Sequence, residues 1–454
     1  MQSSDLESVP PGPGWPPALQ LYRWIRTPFE VLEHCHARLG DAFTLRLPGM
    51  PVPIVIVSDP AAVKDVFALG ADEASAGKAN LPLKPFLGEH SLLLLDGAEH
   101  MRQRKMMLPA FHGERMNAYG RAMLEVANAS IDLWPMHRVF AVHRPMQGIT
   151  LQVILRTVFG VEDGAQFEEL ADVLTRALDI AASPMLLLPF LQHQLRGYSP
   201  WGRFKRLMGR AGELLRVEIR RGRSQGTAGR TDVLAMMLGA RDERGEPLTE
   251  DEVHDELITL LVAGHETTAT ALAWALRFIA PDRPLARRLR DEIATADGDP
   301  LKIAKLELLD GAVKEALRLQ PVIPMVGRLL AEPATFGKLR LPAGAVVAPS
   351  IYLVHHRPDL YPEPERFNPD RYATFKPATW ELLPFGGGLR RCIGAAFAMY
   401  EMKMVLAAVL SRVEMQLAGG HRVRTVRRGI TMTPSDGLPV VVTAKKGRSE
   451  RKAA

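Results

Sequence analysis

The stretch Phe385-Gly386-Gly387-Gly388-Leu389-Arg390-Arg391-Cys392-Ile393-Gly394 constrains this chain more tightly than any other. It is a glycine-rich loop that carries one of only two cysteines in 454 residues, and it runs into Ala395–Glu401, which reads as the start of a helix. A sulfur delivered to a helix N-terminus meets unpaired N–H groups and the positive end of the helix dipole, which favour thiolate over thiol. Arg390 and Arg391 add positive charge beside it. A thiolate held this way is a nucleophile or a metal ligand; the plainer alternative is a small buried hydrophobe. Three other motif readings fail. A dinucleotide loop needs a third glycine where Arg391 stands, and a phosphate-binding loop needs Gly-Lys-Ser/Thr where Arg390-Arg391-Cys392 stands. Zinc needs partner ligands at short spacing, and the other cysteine, Cys35, is far away.

The stretch resembles the haem-ligand signature of the cytochrome P450 family, Phe-x-x-Gly-x-Arg-x-Cys-x-Gly, with Phe385, Gly388, Arg390, Cys392 and Gly394 at its fixed positions. The resemblance implies that Cys392 is the axial thiolate ligand of a haem b iron. It also implies that Phe385 packs near the sulfur and that Gly388 and Gly394 let the backbone approach the porphyrin.

Three further stretches follow the same family order. His100 and Arg104 are four apart and would share a helix face, where two donors can clamp a carboxylate or simply face solvent. The family has a His-x-x-x-Arg pair here, before Pro109-Ala110-Phe111, and the resemblance makes both residues haem-propionate ligands. Thr249 with Glu252 forms a capping box opening a helix that runs to about Ala280. Its middle, Leu260–Ala269, places Gly264, Glu266, Thr267 and Thr268 where a buried helix gains nothing from them, and broken local rules usually mark function. A zinc His-Glu-x-x-His motif fails because residue 269 is Ala. By resemblance, Ala263 and Gly264 make room for dioxygen, Thr267 hydrogen-bonds it, and Glu266 relays protons. Glu315 and Arg318 read in isolation as an exposed pair worth ~0.2–0.5 kcal/mol. By resemblance they join Arg366, in Pro364-Glu365-Arg366-Phe367, in a buried structural network. Arg328 and Arg390 complete the propionate set by the same resemblance.

The implied fold is mainly α with a small β-rich subdomain: a long central helix over the haem and a Cys-ligand loop beneath it. Residues 1–17 read as a proline-rich arm, 18–444 as a single domain and 445–454 as a basic disordered tail. The first piece of helix, Ala18–Arg38, should break before Pro28. Ala42–Leu47 and Val52–Val57 alternate like paired strands, and Ser58-Asp59-Pro60 caps a helix to about Leu69. Two cysteines exclude a disulfide scaffold and suit a reducing cytoplasm. No apolar run is long enough to span a bilayer and no signal sequence is visible, so a cytoplasmic protein without a transmembrane anchor is expected. The net charge of +6 fits an acidic protein partner, but no basic run is interleaved with aromatics, which argues against nucleic acid.

The function implied is monooxygenation: one atom of O2 enters a hydrophobic small molecule by hydroxylation or epoxidation. The chain carries no flavin or ferredoxin segment, so electrons are expected from NAD(P)H through a separate reductase and an acidic ferredoxin or flavodoxin. That partner would dock near Arg391, Lys105 and Lys403 on a monomer. Leu94, Leu95, Leu260, Val322, Val326 and Thr431 are the expected pocket positions, with the loop Pro184–Leu191 at the entrance. They fit a fatty acid, terpenoid or polyketide without choosing among them. The alternatives are a peroxide-using or isomerising haem-thiolate enzyme and a non-catalytic haem sensor.

Overall fold

The computed structural model describes residues 9–447 except 51, 112, 114, 162–163, 189–190, 194–197 and 421. Parts of the proline-rich arm (1–8), the apolar loop (189–190) and the basic tail (448–454) therefore lie outside the described residues. At the start, Pro17–Arg26 and Pro28–Leu39 are two helices parted at Thr27, because Pro28 has no N–H to extend the first ladder. Trp24, Val31, Leu32 and Cys35 turn inward, whereas Leu21 and Ile25 are only partly covered. The described part of the arm is tied down: Pro10 O and Pro11 O accept from Thr44 Oγ1 and Thr44 N at 2.6 and 3.1 Å.

A five-stranded sheet runs in the order Ala42–Leu45, Ile54–Val57, Val346–Pro349, Arg328–Leu330, Ala74–Ser75. Only the Ile54–Val57 and Val346–Pro349 pair is parallel. Asp59 caps the helix Pro60–Ala68 by accepting from Ala62 N at 2.9 Å. A separate hairpin pairs Thr425–Arg428 with Thr431–Pro434. Everything else is mainly helix, arranged around the 30-residue helix Glu250–Ile279. Its capping box is formed: Glu252 N donates to Thr249 Oγ1 at 3.2 Å and Thr249 N to Glu252 Oε2 at 2.7 Å. Every residue from Thr268 to Leu276 is buried, so this half is held from all sides. The helices His143–Thr157, Glu307–Leu319 and Ala395–Arg412 pack against it.

The buried ion network differs from expectation in one member. Glu315 and Arg318 are fully buried, and Arg318 donates to both carboxylate oxygens at 2.8 and 2.9 Å and to His355 O at 2.7 Å. The second arginine is Arg371, not Arg366. Arg371 Nε lies 3.4 Å from Glu315 Oε1, and Tyr372 OH donates to Glu315 Oε2 at 3.0 Å. The Arg366 side chain is 66% exposed and pairs with Glu363. A Pro-x-Arg-aromatic pattern occurs twice in succession, at Pro364–Phe367 and at Pro369–Tyr372. Phe367 turns in to stack on Phe278, which leaves the preceding Arg366 outside and carries the second copy onto Glu315. Arg371→Ala is expected to lower unfolding stability by about 2 kcal/mol, since it removes a nearly buried guanidinium that bonds Pro362 O and reinforces Glu315, which keeps its pair with Arg318. Arg366→Ala should change it by less than about 0.5 kcal/mol. Urea unfolding of the two variants checks this.

Candidate active site

The cysteine loop is shaped by close backbone approach. Gly388 has φ +64°, and a Cβ there would collide with Phe67 O; at Gly387 it would sit 2.8 Å from the Phe67 ring. Glycine is therefore required for the loop to press on the helix Pro60–Ala68. The chain then makes one short turn, Gly388–Arg390, and Cys392 N returns a hydrogen bond to Phe385 O at 2.9 Å. The helix Ala395–Arg412 begins after Gly394, so Cys392 precedes the helix rather than opening it. Burial pushes its thiol up, while the Gly394 N–H, Arg104 and Arg391 pull it down. Burial thus outweighs the helix-end and arginine contributions that favour thiolate. Although surrounded by protein, Cys392 keeps accessible surface, so it borders interior space. Among the described residues, apart from its own chain neighbours, nothing lies within 4 Å of where a Cβ on Gly394 would be, and Phe385 packs on the main core.

Beside the cysteine, hydrogen-bond donors, three of them guanidinium groups, gather from three elements. His100 and Arg104 come from the helix Gly97–Met107, Arg328 opens its strand, and Arg390 sits in the short turn. Burial, then Arg390 and Arg104, hold His100 down at about 4. Burial and Arg390 likewise lower Arg328 to about 10. Arg104 Nη2 donates to Arg391 O at 2.7 Å. Arg390 donates to Leu92 O at 3.1 Å and to Leu95 O, and pairs with Asp96, the one carboxylate that offsets His100 and Arg328. A cavity of about 20 Å³ lies between Phe67, His100, Arg328 and Arg390.

On the central helix, Leu260, Ala263, Gly264 and Thr267 remain partly accessible while Leu261, His265 and Thr268 are buried. Their spacing of three, four and seven puts them on one face. A Cβ on Gly264 would meet Ile154 Cδ1 at 3.2 Å, so this glycine also admits the neighbouring helix His143–Thr157. Thr267 Oγ1 donates to Ala263 O at 2.5 Å, which leaves its lone pairs free to accept. Glu266 turns aside. Its Oε2 accepts from Gln147 Nε2 at 2.7 Å, and Arg428 Nε lies 3.2 Å from its Oε1 without hydrogen-bond alignment. Burial raises the Glu266 carboxyl; Arg428 and Gln147 oppose it. His143 stands 3.6 Å from Oε1, held neutral at about 3 by burial and Arg428. Among the described residues, Gln147 Oε1, Glu266 Oε1, His265 Nδ1 and Arg428 Nε are buried without a hydrogen-bond partner. The unpartnered Glu266 Oε1, with Arg428 Nε 3.2 Å away and Gln147 Oε1 on the amide that bonds Oε2, makes a site for small polar guests. Arg428 continues outward to Asp179 at 3.1 Å, and Asp179 to exposed Arg144 at 2.8 Å. Gln147, His143 and Arg428 escaped sequence reasoning because they belong to no local motif.

Of the expected pocket positions, Leu94, Leu95, Leu260 and Val326 are partly accessible and Val322 is nearly covered. Thr431 is a correction: it is 1% exposed, with its hydroxyl given to Arg428 O at 2.8 Å, so it faces protein and Ile430 takes the accessible place. Lys403 is another. It is buried, with Nζ bound to Ala304 O at 2.6 Å and Asp310 Oδ1 at 3.0 Å, and is no docking residue. Arg391 and Lys105 are exposed, Lys105 beside Glu243 at 2.8 Å.

A family model described as Cytochrome P450 matches residues 10–439. The "Putative cytochrome P450 135B1" of Mycobacterium tuberculosis (strain H37Rv) is 42% identical over 450 residues, 98% of this chain and 94% of that protein. The "Putative cytochrome P450 135A1" of the same strain is 36% identical over 96% of each chain. Among solved structures, "Retinoic acid bound cyanobacterial CYP120A1" superposes with a TM-score of 0.83 at 25% identity, covering 96% of this chain and 99% of that one. The "cytochrome P450DA heme domain" superposes with a TM-score of 0.84 at 23% identity, over 97% and 98% of the two chains.

Gly388→Ala is expected to destabilise the protein by more than about 2 kcal/mol, combining a left-handed φ with the clash on Phe67 O. Gly386→Ala, with φ +65° but nothing within 4 Å, should lose only about 1 kcal/mol. Thermal unfolding of the two variants reads the difference.

Proposed function

This chain belongs to the cytochrome P450 family and is a haem-thiolate monooxygenase; from that premise we propose that Cys392 ligates the iron while Thr267 and Glu266 manage protons for oxidation of an apolar small molecule. The observation that carries the assignment is the gathering of His100, Arg104, Arg328 and Arg390 around the cysteine loop with Asp96 as counter-charge. That excess of donors suits the two carboxylates of a haem, and accessible Cys392 with open space before Gly394 suits its flat face. Phe385 backs the sulfur, and Ala263 with Gly264 keeps the opposite face low.

Haem supplies the redox-active iron at which O2 is reduced and one of its atoms transferred. Release of the other atom as water would need two protons, which residues of this chain would have to deliver. Thr267, its own proton committed to Ala263 O, accepts from a proton-bearing guest at the cleft face. Glu266 holds a proton more readily than an exposed carboxylate because burial raises it, and it stands between the orphaned polar atoms and the Arg428–Asp179–Arg144 chain toward the surface. The apolar positions Leu94, Leu95, Leu260, Val322 and Val326 wall the substrate.

Electrons come from NAD(P)H through separate proteins, with an acidic ferredoxin or flavodoxin docking over the cysteine loop. Exposed Arg391 and Lys105, with Leu389 and Leu108 at 47% and 39% exposure close to them in sequence, supply the basic and apolar groups for that docking. No helix among the described residues is long and apolar enough to cross a membrane. A cytoplasmic monomer fits this chemistry. The structural neighbour described as retinoic acid bound carries an apolar ligand, the class of substrate proposed for this chain.

Reduced, carbon monoxide-treated wild type should show a strongly red-shifted Soret band that Cys392→Ser loses; an unchanged band in the variant refutes ligation by Cys392. Thr267→Ala and Glu266→Gln should keep that band yet divert most reducing equivalents from product to peroxide, read as the ratio of peroxide formed to NAD(P)H consumed. A peroxide-driven enzyme would be insensitive to both.

A further inference from the structure

Arg427 and Arg428 are adjacent on the strand Thr425–Arg428, so they face opposite sides of the hairpin. Arg428 is matched by Asp179 and Glu266. Arg427 has no such match: among the described residues no carboxylate pairs with it, and its one hydrogen bond runs from Nε to Gly429 O at 2.9 Å. It stands opposite Met432 in the hairpin register, and its guanidinium lies 5.7 Å from the Trp24 ring. Burial alone lowers it to about 10, and still the side chain is partly accessible. A guanidinium placed so, with N–H groups to spare and no carboxylate paired with it among the described residues, is free to take an anion.

The surroundings say what the rest of that anion must be like. Met432 donates its N–H to Val322 O at 2.9 Å, so Arg427 is one strand across from the proposed substrate wall. Trp24 and Met432 share an apolar cluster with Met325, Leu47 and Met50. The hairpin tip is tied to the end of the helix Ala165–Ala181, near the candidate entrance, by Gly429 N donating to Ala182 O at 2.6 Å. The position therefore offers one guanidinium at the rim of apolar walls.

We propose that Arg427 anchors the carboxylate of the substrate between the hairpin and Trp24, so that this enzyme takes apolar carboxylic acids with the hydrocarbon directed toward the open face of the central helix. A guanidinium grips a carboxylate through two parallel N–H donors, which a neutral ester cannot match. The inference rests on the monooxygenase reading and names its substrate class.

The test titrates haem-loaded enzyme at pH 8 with dodecanoic, hexadecanoic and abietic acids and the methyl ester of each, reading displacement of the Soret band. At least one acid should bind about tenfold or more tighter than its ester. Arg427→Gln should remove that preference by weakening the acid about tenfold with the ester unchanged, and Arg427→Lys should restore part of it. If no acid exceeds its ester in wild type, or if Arg427→Gln weakens acid and ester alike, Arg427 is only a tie between hairpin and first helix and the proposal is overturned. The carbon monoxide spectrum of Arg427→Gln separates this from misfolding. Oxidised product from the esters would keep the monooxygenase reading standing while the anchor falls.

Discussion

The whole site depends on one backbone contact, Gly388 laid against Phe67 O, where no side chain can intrude. It fixes the cysteine loop on the helix below, and with it the direction of Arg390. Arg390 then grips the carbonyls of Leu92 and Leu95 together with Asp96. The turn so gripped is held from its other side: Leu92 N donates to Glu256 Oε1 at 2.6 Å, and Asn80 Nδ2 to Leu93 O at 3.1 Å. Glu256 lies on the central helix, its carboxyl pushed up to about 8 by burial, so it can bond there without imposing a full charge. Cysteine loop, pocket turn and central helix are thereby one continuous set of bonds.

Burial favours the neutral form in both polar districts of the site, with different consequences. Beneath the cleft it works against the cations, lowering His100 and Arg328, and against the thiolate of Cys392. Arg328, Arg390 and Arg104 crowd one another with like charge and gain most from an anionic guest. Above the cleft it raises Glu266 while Arg428 and Gln147 resist. One district is built to hold charge, the other to let a proton come and go.

How much of this was legible depended on whether the information was local. The capping box at Thr249, the Asp59 cap and the break at Pro28 follow from residues within a few positions, and all appear as expected. The cysteine loop was legible because close approach demands glycine at fixed spacing. Arg366 misled because two neighbouring Pro-x-Arg-aromatic copies are locally equivalent; only the inward stacking of Phe367 on Phe278 selects Arg371. Lys403 failed for a similar reason, since a lysine on an otherwise apolar helix can be exposed or bonded internally, and Asp310 decides it. Gln147, His143 and Arg428 meet Glu266 only through tertiary packing, beyond the reach of any window along the chain.

The buried group of Glu315, Arg318, Arg371 and Tyr372 also limits how the chain can change over generations. Glu315 and Arg318 satisfy each other, so replacing either one alone by an apolar residue leaves an unmatched charge in a dry place. A wholly apolar cluster of similar volume could be equally stable, yet every one-step route to it crosses a poorly folded intermediate. The network can thus be inherited or abandoned together but not dismantled piecemeal, and its persistence in descendants would record the absence of a path rather than a need of the chemistry.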